Sequence, residues 1–425
     1  MVSSVKSRLL KPDNFSEPFK FYFKPKAKQD RVNDLAVLER SYRSKLKITL
    51  VTETWAPEIN GVAHSLLQLC KGLQGLGHQI QLIRPEQKNR SYEFKANQEC
   101  LVWAKSIPKY ADMQFGMPQY KKIQKAIASF QPDIVHIVTE GPLGLTAQYV
   151  AQAQKIPVSS GFHSAFHDFS RFFDLAFLMK PVQHYLRWFH NNTQLTCVPS
   201  QDTANALRSL GFNCPLVVVG RGVDHTRFSP QHLSAALRQQ WKVDEDTRVM
   251  LYVGRLSPEK EVDVLISAYR SMQVKSNQLT QLVIVGDGPD RERLEQLAMG
   301  LDVIFMGSLS GQALSEAYAS ADVFVFASQV ETFGNVVLEA MASGLPVVAY
   351  NAACASVHVR SQTGWLSELG RTDDFIRHIQ GLPSRKTLQQ MGMCAAQDAA
   401  KVGWQHPVQQ FEQALYHVVE QTLVA

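Results

Sequence analysis

The segment 321–349 constrains the fold of this chain more than any other, because it reads as strand, loop, helix, turn and strand. Residues 321–326 are apolar and rich in β-branched and aromatic side chains, as is typical of a strand buried on both faces. Good helix formers dominate 332–342, and Gly344 and Pro346 stop that helix before a second apolar strand. The pattern predicts a β-α-β unit and therefore a parallel sheet.

Two glutamates in this unit are candidates for ligand binding. Glu331 lies in the loop at the carboxyl end of the first strand, where open α/β sheets bind ligands and a helix N-terminus offers free N–H groups. Glu339 follows in the helix, about 12 Å further along its axis, which would span both ends of a sugar nucleotide. The alternative, a solvated loop acid and an exposed helix acid, is equally compatible with these two residues alone.

The same alternation of strands and helices runs from residue 46 to the end of the chain. Its 425 residues suit two domains, and 45% hydrophobic residues supply two cores. We predict an α/β protein with two Rossmann-like, doubly wound domains that face a central cleft. The expected divisions are a basic extension (1–45), a first domain (46–220), a linker (221–246) and a second domain (247–390). The C-terminal helices (391–425) are expected to pack back on the first domain.

The formal net charge of +6 is concentrated at the N-terminus. Residues 1–47 hold twelve Lys or Arg and five acids, which leaves the remaining 378 residues at −1. This distribution argues against nucleic acid as a partner of the main body. Peripheral contact of the extension with an anionic membrane is one interpretation, and a solvated leader without a partner is the other.

The six cysteines are scattered without a C-x-x-C pair, which indicates a reduced, cytoplasmic compartment and no structural zinc. No apolar run in the sequence approaches the length of a membrane-spanning helix. The aromatic and basic run 162–189, which includes Arg171, allows contact with lipid or a cover over the cleft, although a core or lid helix is the simpler interpretation.

Two loops of the first half are further site candidates. The loop 57–61 joins a strand to a helix and contains Gly61, an arrangement in which backbone amides bind phosphate, although one such glycine is weak evidence. His163 stands directly after a strand, at the carboxyl edge of the predicted sheet. A lone histidine is more often structural than functional.

In the second half, two loops favour binding of a diphosphate. Arg255 and Lys260 follow the strand 249–253, and a guanidinium can bond two phosphate oxygens while an ammonium acts as a point charge. Gly286 lies in a glycine-containing loop after the next strand. The sequence contains neither the G-x-G-x-x-G nor the P-loop pattern, so the usual fingerprints of dinucleotide oxidoreductases and P-loop enzymes are missing.

Together these loops resemble the retaining GT-B-fold glycosyltransferases of family 4, from about residue 46 onward. The match rests on the glycine loop at Gly61, on His163, on 253–260 and on the E-x7-E signature 331–339. The runs 140–144, 221–224 and 331–336 also resemble a bacterial subgroup of GDP-mannose-dependent α-mannosyltransferases and relatives of sulfoquinovosyl diacylglycerol synthase.

The resemblance implies a role for each matching residue. Arg255, Lys260 and the N–H groups of Gly61, Phe333 and Gly334 would stabilise the diphosphate. Glu331 would bind hydroxyls of the transferred sugar, Glu339 those of the ribose, and His163 the sugar near its reacting carbon. Two more residues of these loops complete the expected donor-binding set: Gly286 and Asn335.

The resemblance further implies front-face transfer of a hexose from a nucleoside-diphosphate sugar to a lipid or glycan acceptor, with no metal and no cofactor. It is compatible with a peripheral position at the inner membrane. The loop 351–358 departs from the family pattern, because it lacks the acidic and glycine residues that many relatives have there. The D-x-D letters at 244–246 precede a strand, so we interpret them as a solvated turn.

Three alternatives remain open at this point. A GT-B-type epimerase or a phosphorylase would keep the fold and change the chemistry, and a phosphorylase would need pyridoxal phosphate on a lysine. A non-catalytic sugar-nucleotide-binding protein would keep only the binding site. The presence of both cations and both glutamates argues against the last alternative.

Overall fold

The computed structural model describes residues 44–58, 60–87, 93–107, 110–163, 179–275 and 279–424. The described residues from Leu46 onward form one compact unit. The roles considered for the basic extension up to residue 43 and for Arg171 lie outside the described residues.

The first domain is built on a seven-stranded sheet with the strand order β3-β2-β1-β6-β7-β8-β9, in which every pair of neighbours is parallel. Its helices connect successive strands, as parallel pairing requires. The strands are β1 (Lys47–Val51), β2 (Gln79–Pro85), β3 (Gln98–Val102), β6 (Ile134–Ile137), β7 (Val158–Gly161), β8 (Leu195–Val198) and β9 (Leu216–Val218). The helices are α1 (Gly61–Gly75), α2 (Tyr120–Phe130), α3 (Pro142–Ala153), α4 (Met179–Asn191) and α5 (Gln201–Ser209).

The second domain repeats this plan with a six-stranded parallel sheet in the order β12-β11-β10-β13-β14-β15. Its strands are β10 (Arg248–Val253), β11 (Thr280–Val285), β12 (Val303–Gly307), β13 (Val323–Phe326), β14 (Val347–Tyr350) and β15 (Gly364–Ser367). Its helices are α6 (Ala235–Gln240), α7 (Val262–Lys275), α8 (Arg291–Leu297), α9 (Gly311–Ser320), α10 (Asn335–Ala342), α11 (Ala353–His358), α12 (Thr372–Gln380) and α13 (Arg385–Ala399).

The two parallel sheets confirm the predicted fold class. The central strands β1, β10 and β13 are mostly apolar and almost completely buried, which explains why largely hydrophobic runs identified them. The sequence patterns did not reveal strands β3 and β15, nor the antiparallel pair β4 (Ala104–Ile107) and β5 (Tyr110–Gly116).

Much of the segment 221–246, which the sequence suggests as a linker, belongs to the core of the second domain. Phe228 and Trp241 are buried there. Arg238 donates hydrogen bonds to the carbonyl of Ser320 and to Asp322, which ties the short helix α6 to the segment between α9 and β13. The connection between the domains is therefore short.

The chain passes between the domains twice, and the two crossings touch. The N–H of Val223 donates to the carbonyl of Val402 at 3.0 Å, and a Cβ placed at Gly222 would lie 2.6 Å from the backbone of Gly403. After the second crossing, α14 (Gln405–Val424) packs against α1 of the first domain and contributes Phe411 to that core.

A buried pair fixes α14 to the first sheet. Nδ1 of His78 accepts a hydrogen bond from the N–H of Leu46, and its Nε2 lies 3.0 Å from Glu412 Oε1. Since Nδ1 is an acceptor, the imidazole donates through Nε2 to Glu412. Among the described helices, none has the length and apolar character needed to cross a membrane.

Candidate active site

The carboxyl end of β10 presents the two cations that the sequence singles out. Arg255 is exposed just beyond this strand, and its backbone carbonyl accepts a hydrogen bond from the hydroxyl of buried Tyr252 at 3.0 Å. A 3-10 turn, Pro258–Lys260, then returns the chain toward the sheet. This geometry places Lys260 beside the neighbouring strand β13.

Lys260 and Glu331 form the central ion pair of the site. Lys260 Nζ lies 2.6 Å from Glu331 Oε1 and also donates to the carbonyl of Val330 and the hydroxyl of Ser328 at 3.2 and 3.4 Å. Both side chains are mostly buried, with 16% and 19% exposure. The ammonium therefore orders the loop in which Glu331 stands.

The loop after Glu331 leads directly into the N-terminus of α10. Gly334 precedes the helix with φ +84°, a left-handed conformation that favours glycine, and it supplies no side-chain cap. The N–H of Val337 donates to the carbonyl of Gly334 at 3.1 Å, whereas the N–H groups of the first two residues of α10 have no intrahelical acceptor, as at any helix N-terminus, and are suited to an anion. Glu331, Phe333 and Gly334 line one small cavity together with Tyr350.

Glu339 projects from α10 toward α9. Its Oε2 accepts a hydrogen bond from the hydroxyl of Tyr318 at 3.0 Å. Burial raises the pKa of the Glu339 carboxyl, whereas the Tyr318 hydrogen bond and the charge of Arg227 lower it. The same Arg227 charge lowers the pKa of His64 on α1 of the first domain, after burial as the main cause.

The first domain contributes the turn at Gly61. Asn60 caps α1 by accepting a hydrogen bond from the N–H of Ala63 at 2.8 Å. A Cβ added at Gly61 would lie 3.6 Å from Nδ2 of Asn335, and this Nδ2 donates to the hydroxyl of Ser65 at 3.3 Å. The structure brings the Gly61 turn and the N-terminus of α10 together across the cleft.

Gly286 serves the geometry of the loops around Arg255. It has φ +139°, and a Cβ at this position would lie 1.8 Å from the carbonyl oxygen of Gly254. The backbone after β11 therefore packs directly on the backbone after β10. Only glycine permits this approach, so Gly286 supports the Arg255 loop whether or not it contacts a donor.

His163 follows β7 and is fixed by an arginine from the domain connection. Its Nδ1 accepts a hydrogen bond from Nη2 of Arg221 at 3.0 Å, so the neutral ring carries its proton on Nε2. Burial and the charge of Arg221 hold the pKa of His163 well below its usual range. Burial also lowers the pKa of Arg221, to about 10. His163 is a neutral hydrogen-bond donor over the physiological pH range.

Three of these partners were not predicted from the sequence: Ser65, Arg221 as the hydrogen-bond donor to His163, and Tyr318. Tyr318 looks like an ordinary core residue, and it is indeed completely buried. Arg221 stands in a run that resembles the subgroup, which is the signal that would have pointed to it.

The acidic segment 244–246 forms a turn, as its position before a strand predicted. Asp244 Oδ1 accepts hydrogen bonds from the N–H groups of Asp246 and Thr247 and from the hydroxyl of Thr247. In the described part of the chain, no group of three His, Cys, Asp or Glu side chains is arranged to hold a metal ion.

The two parallel-sheet domains, with cations and glutamates clustered at the strand ends of the second, are the arrangement of a GT-B-fold sugar transferase. A solved structure supports the fold: the sucrose-phosphate synthase of Thermosynechococcus elongatus superposes with a TM-score of 0.72 over 89% of this chain and 100% of that chain, at 19% identity.

Family models match most of the chain. Residues 59–227 match Glycosyltransferase Family 4, and residues 234–395 match Glycosyl transferases group 1. A GDP-mannose-dependent alpha-mannosyltransferase of Mycobacterium tuberculosis is 32% identical over 79% of this chain and 88% of its own length. An alpha-monoglucosyldiacylglycerol synthase of Streptococcus pneumoniae is 28% identical over 72% of this chain and 71% of its own length.

This chain belongs to the family 4, group 1 glycosyltransferases. It is an enzyme that transfers a sugar from a nucleotide-sugar donor. The resemblance seen in the sequence motifs is confirmed at the level of the family.

Proposed function

We propose that this enzyme is a retaining hexosyltransferase that uses GDP-mannose or a UDP-sugar, needs neither a metal ion nor a cofactor, and acts on a lipid or glycan acceptor. The observation that carries this proposal is the contact of Lys260 with Glu331 beside the N-terminus of α10. Cation, carboxylate and free N–H groups are the three elements that a sugar diphosphate requires.

Each end of the donor has a matching group. Lys260, Arg255 and the N–H groups at Phe333 and Gly334 stabilise the diphosphate, and Glu331 accepts hydrogen bonds from hydroxyls of the hexose. Glu339, held by Tyr318, accepts from the ribose hydroxyls. His163 donates through Nε2 to the hexose, since its Nδ1 is occupied by Arg221.

The reaction breaks the bond between the anomeric carbon and the β-phosphate oxygen and joins that carbon to the acceptor oxygen on the same face. The leaving phosphate takes the proton of the acceptor hydroxyl, so no protein nucleophile is needed. Negative charge grows on the phosphate in the transition state, and the fixed donors at Lys260 and α10 stabilise it there. Charge neutralisation by cationic side chains and backbone N–H groups is the role that a metal would otherwise fill.

A lipid or glycan acceptor is supported by the names of the two relatives, one a mannosyltransferase and one a glucosyldiacylglycerol synthase. We extend the proposal to a cytoplasmic enzyme that works at the inner surface of the membrane. Vesicle flotation with and without anionic lipid tests this extension, and absence of the protein from both floating fractions would contradict it.

Product analysis tests the reaction. The purified enzyme is incubated with UDP- and GDP-sugars and with diacylglycerol or mannoside acceptors, and mass spectrometry and NMR identify the product and its anomer. We expect an α-linked product from an α-linked donor, undiminished by EDTA. Arg255→Ala should lose activity, whereas the exposed Arg371→Ala should not. An inverted anomer, a requirement for metal, or an epimerised donor would contradict the proposal.

A further inference from the structure

Arg221 lies in the first crossing between the domains, and hydrogen bonds on both sides fix the backbone that carries it. The N–H of Gly220 donates to Oε1 of Gln410 in α14 at 3.1 Å. The N–H of Val223 donates to the carbonyl of Val402 in the second crossing at 3.0 Å. The guanidinium therefore extends from a rigid part of the chain, at the place where the two crossings meet.

The guanidinium of Arg221 is buried, with 7% exposure, and no carboxylate pairs with it among the described residues. Its Nη1 donates to the carbonyls of Val219 and Gly220 at 3.0 and 3.1 Å, and its Nη2 donates to Nδ1 of His163 at 3.0 Å. A buried charge that no opposite charge neutralises is unfavourable. Since His163 is the side chain that this charge contacts in the described part of the chain, the placement of Arg221 points to a function at His163.

An arginine determines which tautomer a neighbouring histidine adopts. A guanidinium has five N–H donors and no acceptor, so Nδ1 of His163 has to accept and the ring proton has to be on Nε2. A hydroxyl or an amide in the same place could donate or accept, and it would leave both tautomers available. Burial and the charge of Arg221 also hold the pKa of His163 well below its usual range, which keeps the ring neutral.

We propose that Arg221 is a positioning residue for the transfer reaction, which holds His163 in the one neutral form that donates a hydrogen bond through Nε2 to the hexose of the donor. This inference rests on the proposed function, which assigns His163 to the hexose, and deepens it. The backbone of the crossing supplies the rigidity that such a positioning group requires.

Nitrogen NMR of the histidine rings tests the contact directly. The full-length enzyme is labelled with 15N-histidine, and the spectrum of His163→Gln identifies the signals of His163. In wild type at neutral pH, the protonated nitrogen of this ring should be Nε2. Arg221→Met should give a ring that exchanges between both tautomers, and Arg221→Lys, which keeps a charged donor, should restore the wild-type signals. A proton on Nδ1 in wild type, or an unchanged ring in Arg221→Met, would overturn the inference.

Kinetics separate a positioning role from an independent one. Arg221→Met should lower kcat/KM about 3- to 10-fold, as expected for the loss of one hydrogen bond. In the His163→Gln background, the same change should have no further effect, because Arg221 acts through the imidazole. A loss of the same size in both backgrounds would show that Arg221 acts independently of His163 and would overturn the inference.

Arg248→Met is the matched control. Arg248 is 2% exposed, and its guanidinium donates to the carbonyls of Leu382 and Pro383 and to the hydroxyl of Thr280 in the second domain. Its replacement also removes a buried guanidinium but should leave the nitrogen signals of His163 unchanged. If these signals change as much as in Arg221→Met, the effect is general destabilisation and the inference is overturned.

The outcomes also separate this inference from the proposed function. Full activity of His163→Gln would contradict the role proposed for His163, and with it the positioning role of Arg221. A negative result in the NMR comparison or in the kinetic cycle would overturn the positioning role alone and leave the proposed function intact.

Discussion

The ammonium of Lys260 lies 2.6 Å from the carboxylate of Glu331, although 71 positions separate the two residues in the chain. The pair connects the loop after β10 with the loop after β13. Under the proposed function, the donor would bind to groups that already neutralise each other. The diphosphate would share Lys260 with Glu331, and the hexose would replace part of the contact on the carboxylate.

Removal of either partner of this pair should abolish most of the activity. We expect Lys260→Met and Glu331→Gln each to lower kcat/KM about 10²- to 10³-fold, since each deletes a group directed at the donor. Steady-state kinetics with the preferred donor measures the loss. Lys401→Met is a suitable control, because Lys401 is 75% exposed and pairs with the nearby Asp398 of α13. Undiminished activity of either test variant would contradict the assignment.

The hydroxyl of Tyr318 should set the pH range of donor binding through Glu339. Burial raises the pKa of this carboxyl and the Tyr318 hydrogen bond lowers it. In the proposed role the ionised form would accept hydrogen bonds from the ribose hydroxyls, so donor affinity should fall as the pH drops through this pKa. Tyr318→Phe should move the fall to higher pH, visible in the pH profile of donor KM. A profile identical to wild type would exclude this role for Tyr318.

Glu53 should make the fold less stable as pH rises. Its Oε1 accepts a hydrogen bond from the N–H of Leu143 at the start of α3, and burial raises its pKa from 4.5 to about 7. Because the unfolded chain ionises at lower pH, stability is full below about pH 4.5 and declines up to about pH 7. Glu53→Gln should recover about 1–3 kcal/mol of unfolding free energy at pH 8.

Thermal unfolding at pH 5 and pH 8 measures this effect. The drop between the two pH values should be smaller in Glu53→Gln than in wild type. The exposed Glu292→Gln should leave the drop unchanged. An equal drop in wild type and Glu53→Gln would show that Glu53 does not ionise across this range.

Gly286 and Gly300 form a matched pair that separates a steric clash from backbone strain. Both have positive φ, but a Cβ at Gly286 meets the carbonyl oxygen of Gly254 at 1.8 Å, whereas a Cβ at Gly300 meets nothing within 4 Å. Gly300→Ala should cost about 1 kcal/mol for the left-handed conformation alone. Gly286→Ala should cost several times more and lower activity, because the Arg255 loop must move. Similar costs in chemical denaturation would contradict the packing argument.

The sequence predicted much of the fold because its central strands are buried on both faces. Continuous apolar runs such as 249–253 and 323–326 are unambiguous, whereas β4 and β5 pair as a hairpin with little apolar signal. The pairing of Lys260 with Glu331 could not be predicted, since it depends on β13 lying next to β10 in the sheet. Strand order is a property of tertiary packing that local patterns do not encode.

In the candidate site, too, local sequence patterns predict some features, and others depend on tertiary packing. The motifs pointed to the Gly61 turn, the two cations and Glu331, because strand ends are recognisable in the sequence, and to Glu339 through its spacing from Glu331. They did not reveal Ser65, whose contact with Asn335 spans 270 positions and requires both domains. Contacts between domains follow from how the two crossings and α14 join them, which local patterns do not specify.

The central proposal is that Glu331 binds the hexose of the donor and Glu339 binds its ribose, and one calorimetric comparison tests it most directly. Glu331→Gln and Glu339→Gln are each titrated with the nucleoside diphosphate alone and with the complete nucleotide sugar. Glu331→Gln should lose affinity for the nucleotide sugar but bind the nucleoside diphosphate at least as well as wild type, because Lys260 is no longer neutralised. Glu339→Gln should lose affinity for both. If Glu331→Gln weakens binding of the nucleoside diphosphate alone as much as that of the nucleotide sugar, the proposed roles of the two carboxylates are contradicted.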